Sequence, residues 1–129
     1  MERRTFLFAL AAAPFCAHAA APRTMKEIGE MQQNWKAFLP AGTAAPVPGE
    51  PLELSKDEWR KRLPREAYHV LREEGTERAW TSPLNDEKRP GVFACAGCGL
   101  PLFTSEMKYD SGTGWPSFFT TIPGAFGTK

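Results

Sequence analysis

The run Cys95-Ala96-Gly97-Cys98-Gly99 constrains this chain more than any other stretch. A two-residue gap lets both thiolates point at one metal ion about 2.3 Å from each sulfur. Gly97 and Gly99 free the backbone to wrap the sulfurs and turn N–H groups towards their charge. Three fates compete: half of a metal knuckle, a plain disulfide and a redox dithiol. A redox pair of the thioredoxin kind places its second cysteine in a helix that starts at the first. Gly99-Leu100-Pro101-Leu102 promises no such helix, which favours the metal. The site is nevertheless half made, because structural zinc takes four ligands. Beyond the first twenty residues the chain has no third cysteine and one histidine, His69. His69 falls mid-helix beside Glu66, Val70 and Glu73, and reads as a surface or boundary residue. The missing ligands are expected from a second copy or from sequence not present in these 129 residues.

The chain opens MERRTFLFALAAAPFCAHAA, two arginines followed by an apolar run and then small residues. Charged, hydrophobic and cleavage regions in that order predict a secretory signal over residues 1–19. Arg3-Arg4 with Phe6 and Leu7 gives it a twin-arginine character. The rival reading is a membrane anchor, but Thr5 to Ala17 contains Pro14 and is shorter than the roughly 20 residues of a span. The expected localisation is therefore periplasmic or secreted, with Cys16 lost on processing and no stable span remaining.

Residues 20–50 predict a marginal helix and a linker. Ile28, Met31, Trp35, Phe38 and Leu39 recur at helical spacing. Thr24 and Glu27 form a capping box, and AGTAAPVPGEP over 41–51 is a spacer of small residues and prolines. The helix docks onto the folded part or floats beside it. The main domain is expected over 51–129. Ser55 and Glu58 form a second capping box, with Leu54 stapling against Trp59. Pro64 suits the first position of a further helix. Its buried stripe is expected at Ala67, Val70 and Leu71 with Tyr68 at the edge, and Gly75 is the expected C-cap. Residues 76–91 read as a surface loop with Trp80 and Leu84 pinned inwards. From Gly91 the chain reads as short strands and turns, with a tight exposed turn at Ser111-Gly112-Thr113-Gly114. Twelve prolines and eleven glycines suit such short elements. The 16 Lys+Arg against 15 Asp+Glu leave no basic surplus for a phosphate backbone, so nucleic acid is a poor partner. The charges from Lys56 to Arg89 nearly cancel and read as a solvated face.

No nucleophile constellation is complete: the hydroxyl residues lack a nearby histidine base. Trp115, between Gly114 and Pro116, is a rigidly held indole that could wall a small-ligand pocket. From composition alone, a core tryptophan sealing the end of a sheet is the stronger reading.

GTERAWTSPLNDEKRPG, CAGCGLPLF and DSGTGWPSF occur together and in order. With them the chain from about residue 52 to 129 resembles the amino-terminal part of the B-type methionine sulfoxide reductases, the SelR domain family. The resemblance implies reduction of methionine-R-sulfoxide to methionine in proteins or as the free amino acid. A cysteine thiolate attacks the sulfoxide sulfur, a pocket acid protonates the oxygen, methionine leaves, and the resulting sulfenic acid is resolved by a thiol or a thioredoxin-like reductant. It implies a mainly β (α+β) fold: a small antiparallel sheet domain with amino-terminal helices, stabilised by a zinc knuckle. One Zn2+ would be held by two CxxC pairs, of which Cys95 and Cys98 match the first. Trp115 would wall the pocket for the sulfoxide's methyl group, with Gly114, Pro116, Ser117 and Phe118 around it and Asp110 and Ser111 close by. Thr113 stands where some members carry a recycling cysteine. The second CxxC pair and the attacking cysteine are expected beyond Lys129, so the domain is expected to be truncated, with no catalytic residue in this chain. The alternative is a non-catalytic fragment that binds zinc or a partner through its knuckle.

Overall fold

The computed structural model describes residues 24–42 and 52–127. The expected export signal and most of the linker lie outside them. Among the described residues, no helix is long and apolar enough to cross a membrane.

Local capping decides where the helices start. Thr24 accepts from the Glu27 N–H at 3.2 Å, and the Glu27 carboxylate accepts from the Thr24 N–H at 2.7 Å. This box opens α1, Met25–Asn34, which continues as a 3-10 turn over Trp35–Phe38. Ser55 and Glu58 repeat the arrangement, with the carboxylate accepting from the Ser55 N–H at 2.8 Å, and open α2, Lys56–Arg62. Pro64 is the N-cap of α3, Arg65–Arg72, and not its first helical residue. Its ring fixes φ at −55°, but ψ of 152° is extended, while its carbonyl already accepts the first helical bond from Tyr68 at 2.9 Å.

The buried face of α3 also differs from expectation. Tyr68 is buried with Trp59 and Leu63, and Leu54 and Ala67 pack against that group. Val70 and Leu71 are exposed. A flat aromatic ring fills the narrow space between two short helices better than the aliphatic stripe, and Arg60 and Arg72 cover Tyr68 and Trp59 as cations over ring faces. The helix ends with Glu74, not Gly75, in the left-handed region, while the Gly75 N–H donates to the His69 carbonyl at 2.9 Å. Gly75 instead makes room for the His69 ring, which a Cβ there would meet at 2.3 Å.

From Gly91 the chain forms two antiparallel pairs: β1 (Val92–Ala94) with β2 (Pro101–Thr104), and β3 (Lys108–Tyr109) with β4 (Ser117–Phe118). The antiparallel α+β character holds. The mainly β expectation is met only in this region, since the described helices outweigh these very short strands. Isolated two-stranded ribbons are marginal, and aromatic packing joins them here. Phe103 of β2 stacks on Phe118 of β4 at 4.0 Å and Phe93 meets Phe118 edge-on at 5.0 Å. Met107, fully buried, and Ile122 close this core.

The first helix docks onto the same core. Met31 packs against Met107 and Ile122 with Trp35 beside it, and Gln32 donates to the Thr120 hydroxyl at 2.8 Å. A well-capped helix of ten residues would be marginal alone, and this packing gives it a buried face.

Replacing Ser55 with Ala is expected to cost about 1 kcal/mol, as for other N-cap losses. Hydrogen bonds from the Ser55 hydroxyl and backbone hold the Glu58 carboxyl below its ordinary value. The box therefore contributes fully above the unfolded-state pKa, and the contribution is lost as pH falls through the lowered folded value. Amide protection factors over residues 56–62, which are corrected for the intrinsic pH dependence of exchange, should fall on acidification in the parent chain, and Glu58→Gln should flatten that dependence.

Candidate functional site

Two sequence features carry chemistry, and the structure sets them on different supports. In the first, the Cys95 N–H donates to the Leu100 carbonyl at 2.9 Å and the Gly99 N–H to the Cys95 carbonyl at 2.8 Å, closing a tight loop between β1 and β2. Gly99 lies at φ +77°, a conformation that a side chain would strain. Burial raises the Cys95 thiol, but backbone N–H groups of Cys98 and Gly97, together with the Cys98 thiol, outweigh it and leave Cys95 below its ordinary value. Both cysteines are free thiols, with Cys98 exposed.

The helices support this loop. Arg62 donates from Nε to the Gly97 carbonyl at 2.7 Å. A Cβ placed on Gly97 would lie in ordinary contact with Trp59 and Leu71. Arg62 is thus distinct from the solvated charges around it, and the long-range contact with residue 97 leaves no mark in local sequence. His69 is exposed and faces Glu73 at 3.2 Å, as a surface histidine would. Among the described residues, no third histidine, cysteine, aspartate or glutamate joins the pair in a metal-sized group. The donor chemistry fits two positions of a tetrahedral thiolate site and supplies no more.

The second feature is the turn between β3 and β4. The Asp110 carboxylate accepts from the Gly112 N–H at 2.8 Å, and the Ser111 hydroxyl bonds both Thr113 and Ser117 hydroxyls at 2.7 Å. Gly112 and Gly114 lie at φ +71° and +89°. The Gly114 carbonyl accepts from the Trp80 N–H at 2.8 Å and from the Asn85 amide at 3.0 Å. Trp115 follows, 41% exposed, with its indole N–H donating to the Glu77 carbonyl at 2.8 Å. That exposure rules against the core-tryptophan reading. The indole is anchored at its polar edge and open on its surface.

Trp80 and Leu84 are exposed, not pinned inwards, with Trp80 at 70%. Trp80 has φ of 67°, unusual for a residue with a bulky side chain. It is held there by its N–H bond to Gly114 and by an indole that lies against that glycine. The loop is not featureless either. A 3-10 turn spans Pro83–Asn85, capped by the buried Ser82. Lys108 ties it to β3 through the Asn85 and Glu87 carbonyls at 2.6 and 2.9 Å. Hydrogen bonds from Arg89 hold the half-buried Glu87 carboxyl at about 2.

Residues 63–128 match the SelR domain family. The chain belongs to that family. A peptide methionine sulfoxide reductase MsrB from Leifsonia xyli subsp. xyli is 56% identical over 68 residues, 53% of this chain and 49% of that protein. The chloroplastic peptide methionine sulfoxide reductase B1 of Arabidopsis thaliana is 38% identical over 115 residues, 88% of this chain and 57% of that protein. An MsrB from Hahella chejuensis is 53% identical over 71 residues, 55% of this chain and 51% of that protein. The chain spans about half the length of the curated relatives it matches.

Within this SelR domain, Gly114, Trp115 and Pro116 lie together before β4, Ser117 opens that strand beside them, and Phe118 does not share their open side. Side chains alternate along a strand, so Ser117 faces Ser111 while Phe118 stacks on Phe103 in the core. The cysteine pair belongs to the other ribbon. The positioning residues absent from the sequence reading are Arg62, Glu77, Asn85 and Lys108, and Trp80, expected inside, joins them from the surface. A turn-forming Pro83-Leu84-Asn85 between two tryptophan-bearing motifs is the only local signal they leave.

Gly114→Ala should be poorly tolerated. Its Cβ would lie 2.9 Å from the Trp80 ring and 3.0 Å from the Ala79 Cβ, at a left-handed φ. A loss of about 1–3 kcal/mol, typical of such backbone strain, is expected in urea titrations, together with altered tryptophan fluorescence as Trp80 is displaced.

Proposed function

We propose that these residues form the substrate-wall and knuckle portion of a peptide-methionine (R)-S-oxide reductase. The observation that carries the reading is Trp115, an exposed indole whose N–H is committed to Glu77 and whose preceding carbonyl is held by two donors. An apolar surface fixed in this way suits a methyl group, and Pro116 keeps the backbone after it from adapting to other shapes while the two donors to the Gly114 carbonyl hold the joint before it. The names of the relatives above support the same substrate class. Gly114, Pro116 and Ser117 shape the wall. Phe118 supports it from the core by holding β4, and acts through that strand without touching the ligand.

Cys95 and Cys98 are read as two thiolate ligands of a structural Zn2+. The backbone N–H groups that favour the Cys95 thiolate, and the Arg62 clamp on the loop, serve a fixed ligand better than a mobile nucleophile. A bound zinc would supply cross-linking of the loop and would take no part in the redox step. In this reading the remaining ligands and the attacking cysteine are supplied from outside these 129 residues. In the complete reaction, methionine sulfoxide and two thiols give methionine, a disulfide and water, with a thioredoxin-like protein or thiol relay as reductant. The leader predicted for residues 1–19 places this repair in the periplasm or outside the cell, where such a relay must be provided.

The chain itself is the test. Incubated with dithiothreitol and a chiral methionine sulfoxide, it is expected to give no turnover, while the R epimer shifts the Trp115 indole N–H resonance more than the S epimer. Trp115→Ala should remove that response. Turnover, or equal shifts from both epimers, would overturn the reading. Zinc is expected to protect both thiols from alkylation, and Cys98→Ser should abolish the protection of Cys95.

A further inference from the structure

We propose that Asn85 is a positioning residue for Trp115, setting the angle at which the indole meets the methyl group of a sulfoxide. The inference rests on the reading of Trp115 given above and deepens it. Asn85 is 29 residues away from Gly114 in sequence, yet its amide donates to the Gly114 carbonyl at 3.0 Å. A carbonyl can only accept, so the amide must present its NH2 group there. That carbonyl belongs to the peptide plane linking Gly114 to Trp115. Holding the plane sets the direction in which the Trp115 side chain departs, and the Glu77 carbonyl then fixes the far edge of the ring at 2.8 Å. Gly114, at φ +89°, is the joint that would otherwise turn most easily.

Asn85 can impose this direction because it is itself immobilised. Its N–H donates to the Ser82 carbonyl at 3.1 Å within the 3-10 turn, and its own carbonyl accepts from Lys108 at 2.6 Å. A side chain so held points from a rigid base. Its bond also differs from a purely structural one. The Trp80 N–H already satisfies the Gly114 carbonyl at 2.8 Å, so losing the Asn85 donor leaves no acceptor without a partner. What is lost is one of two constraints on the peptide plane, a change of direction with little change of stability.

The experiment uses the chain as it stands, with N-acetyl-methionine-R-sulfoxide as probe and the Trp115 indole N–H resonance, assigned by Trp115→Phe, as readout. Asn85→Ala is expected to move that resonance in the absence of ligand and to weaken sulfoxide affinity about fivefold, the equivalent of one net hydrogen bond. Asn85→Asp keeps the size but offers only lone pairs to the carbonyl, and should weaken binding at least as much. Far-UV circular dichroism and the thermal transition should stay close to those of the parent chain. Parental affinity and an unmoved indole resonance in both variants would overturn the proposal, as would a general loss of fold that accounts for the weaker binding. If the unsubstituted chain gives no response to sulfoxide, the reading of Trp115 falls and this proposal falls with it. Response in the parent with no loss in the Asn85 variants would sink this proposal alone.

Discussion

The stack of Phe103 on Phe118 is the contact on which the β region depends. Each ribbon is too short to be stable alone, and each places one phenylalanine against the other. The pair contributes roughly 0.5–1.5 kcal/mol beyond the area it buries. Its larger effect is geometric, because Phe118 cannot stack on the core without turning Ser117 towards the Ser111 hydroxyl. The same alternation that builds the core orients the strand end carrying Trp115. Met31, Met107 and Ile122 extend the core on its other flank and bring the first helix in, so a segment separated by a long spacer still shares one apolar centre with the strands.

Around Gly114 the fold holds its backbone under evident constraint. A tryptophan at φ 67° and a glycine at φ +89° face each other across a space that no Cβ on the glycine could share. Conformations of this kind persist where surrounding bonds determine them. Here the bonds come from three segments: the loop at 77–80, the 3-10 turn at 83–85 and the strand at 108. These hydrogen bonds fix the backbone of the turn, while Tyr109, stacked on Phe119, steadies the strand at 108.

How much of this was legible in sequence follows the range of the interactions. Both capping boxes were, since Thr24 with Glu27 and Ser55 with Glu58 act within one turn of helix. The tight turn at 111–114 was legible for the same reason, through its glycines, and the Asp110 carboxylate joins it by accepting from the Gly112 N–H. Tyr68 was misplaced because helical periodicity ranks residues by apolarity, whereas the space beside Trp59 and Leu63 selects for a flat ring. Trp80 was misplaced because a large aromatic in a loop is usually covered, and its actual position is set by Gly114, 34 residues on in sequence. Asn85 and Arg62 were passed over as ordinary polar residues, since only their distant carbonyl partners distinguish them. The site lay mostly in contacts that link motifs, and the motifs themselves were what could be read.

Those linking contacts also order the two features relative to each other. The cysteine loop closes β1 against β2 and is clamped from the helical side by Arg62, so whatever holds the sulfurs also holds the ribbon that carries Phe103. Phe103 in turn supports Phe118, and Phe118 anchors the strand that leaves Trp115. A metal at the sulfurs would therefore act on the indole through two ribbons of backbone and one aromatic stack, without approaching the ligand. Such a path would keep the proposed thiolate ligands on one ribbon and the proposed substrate wall on the other. In the proposed reading, a metal bound at the sulfurs would add folding free energy there and leave the proposed thiol chemistry to other sulfurs.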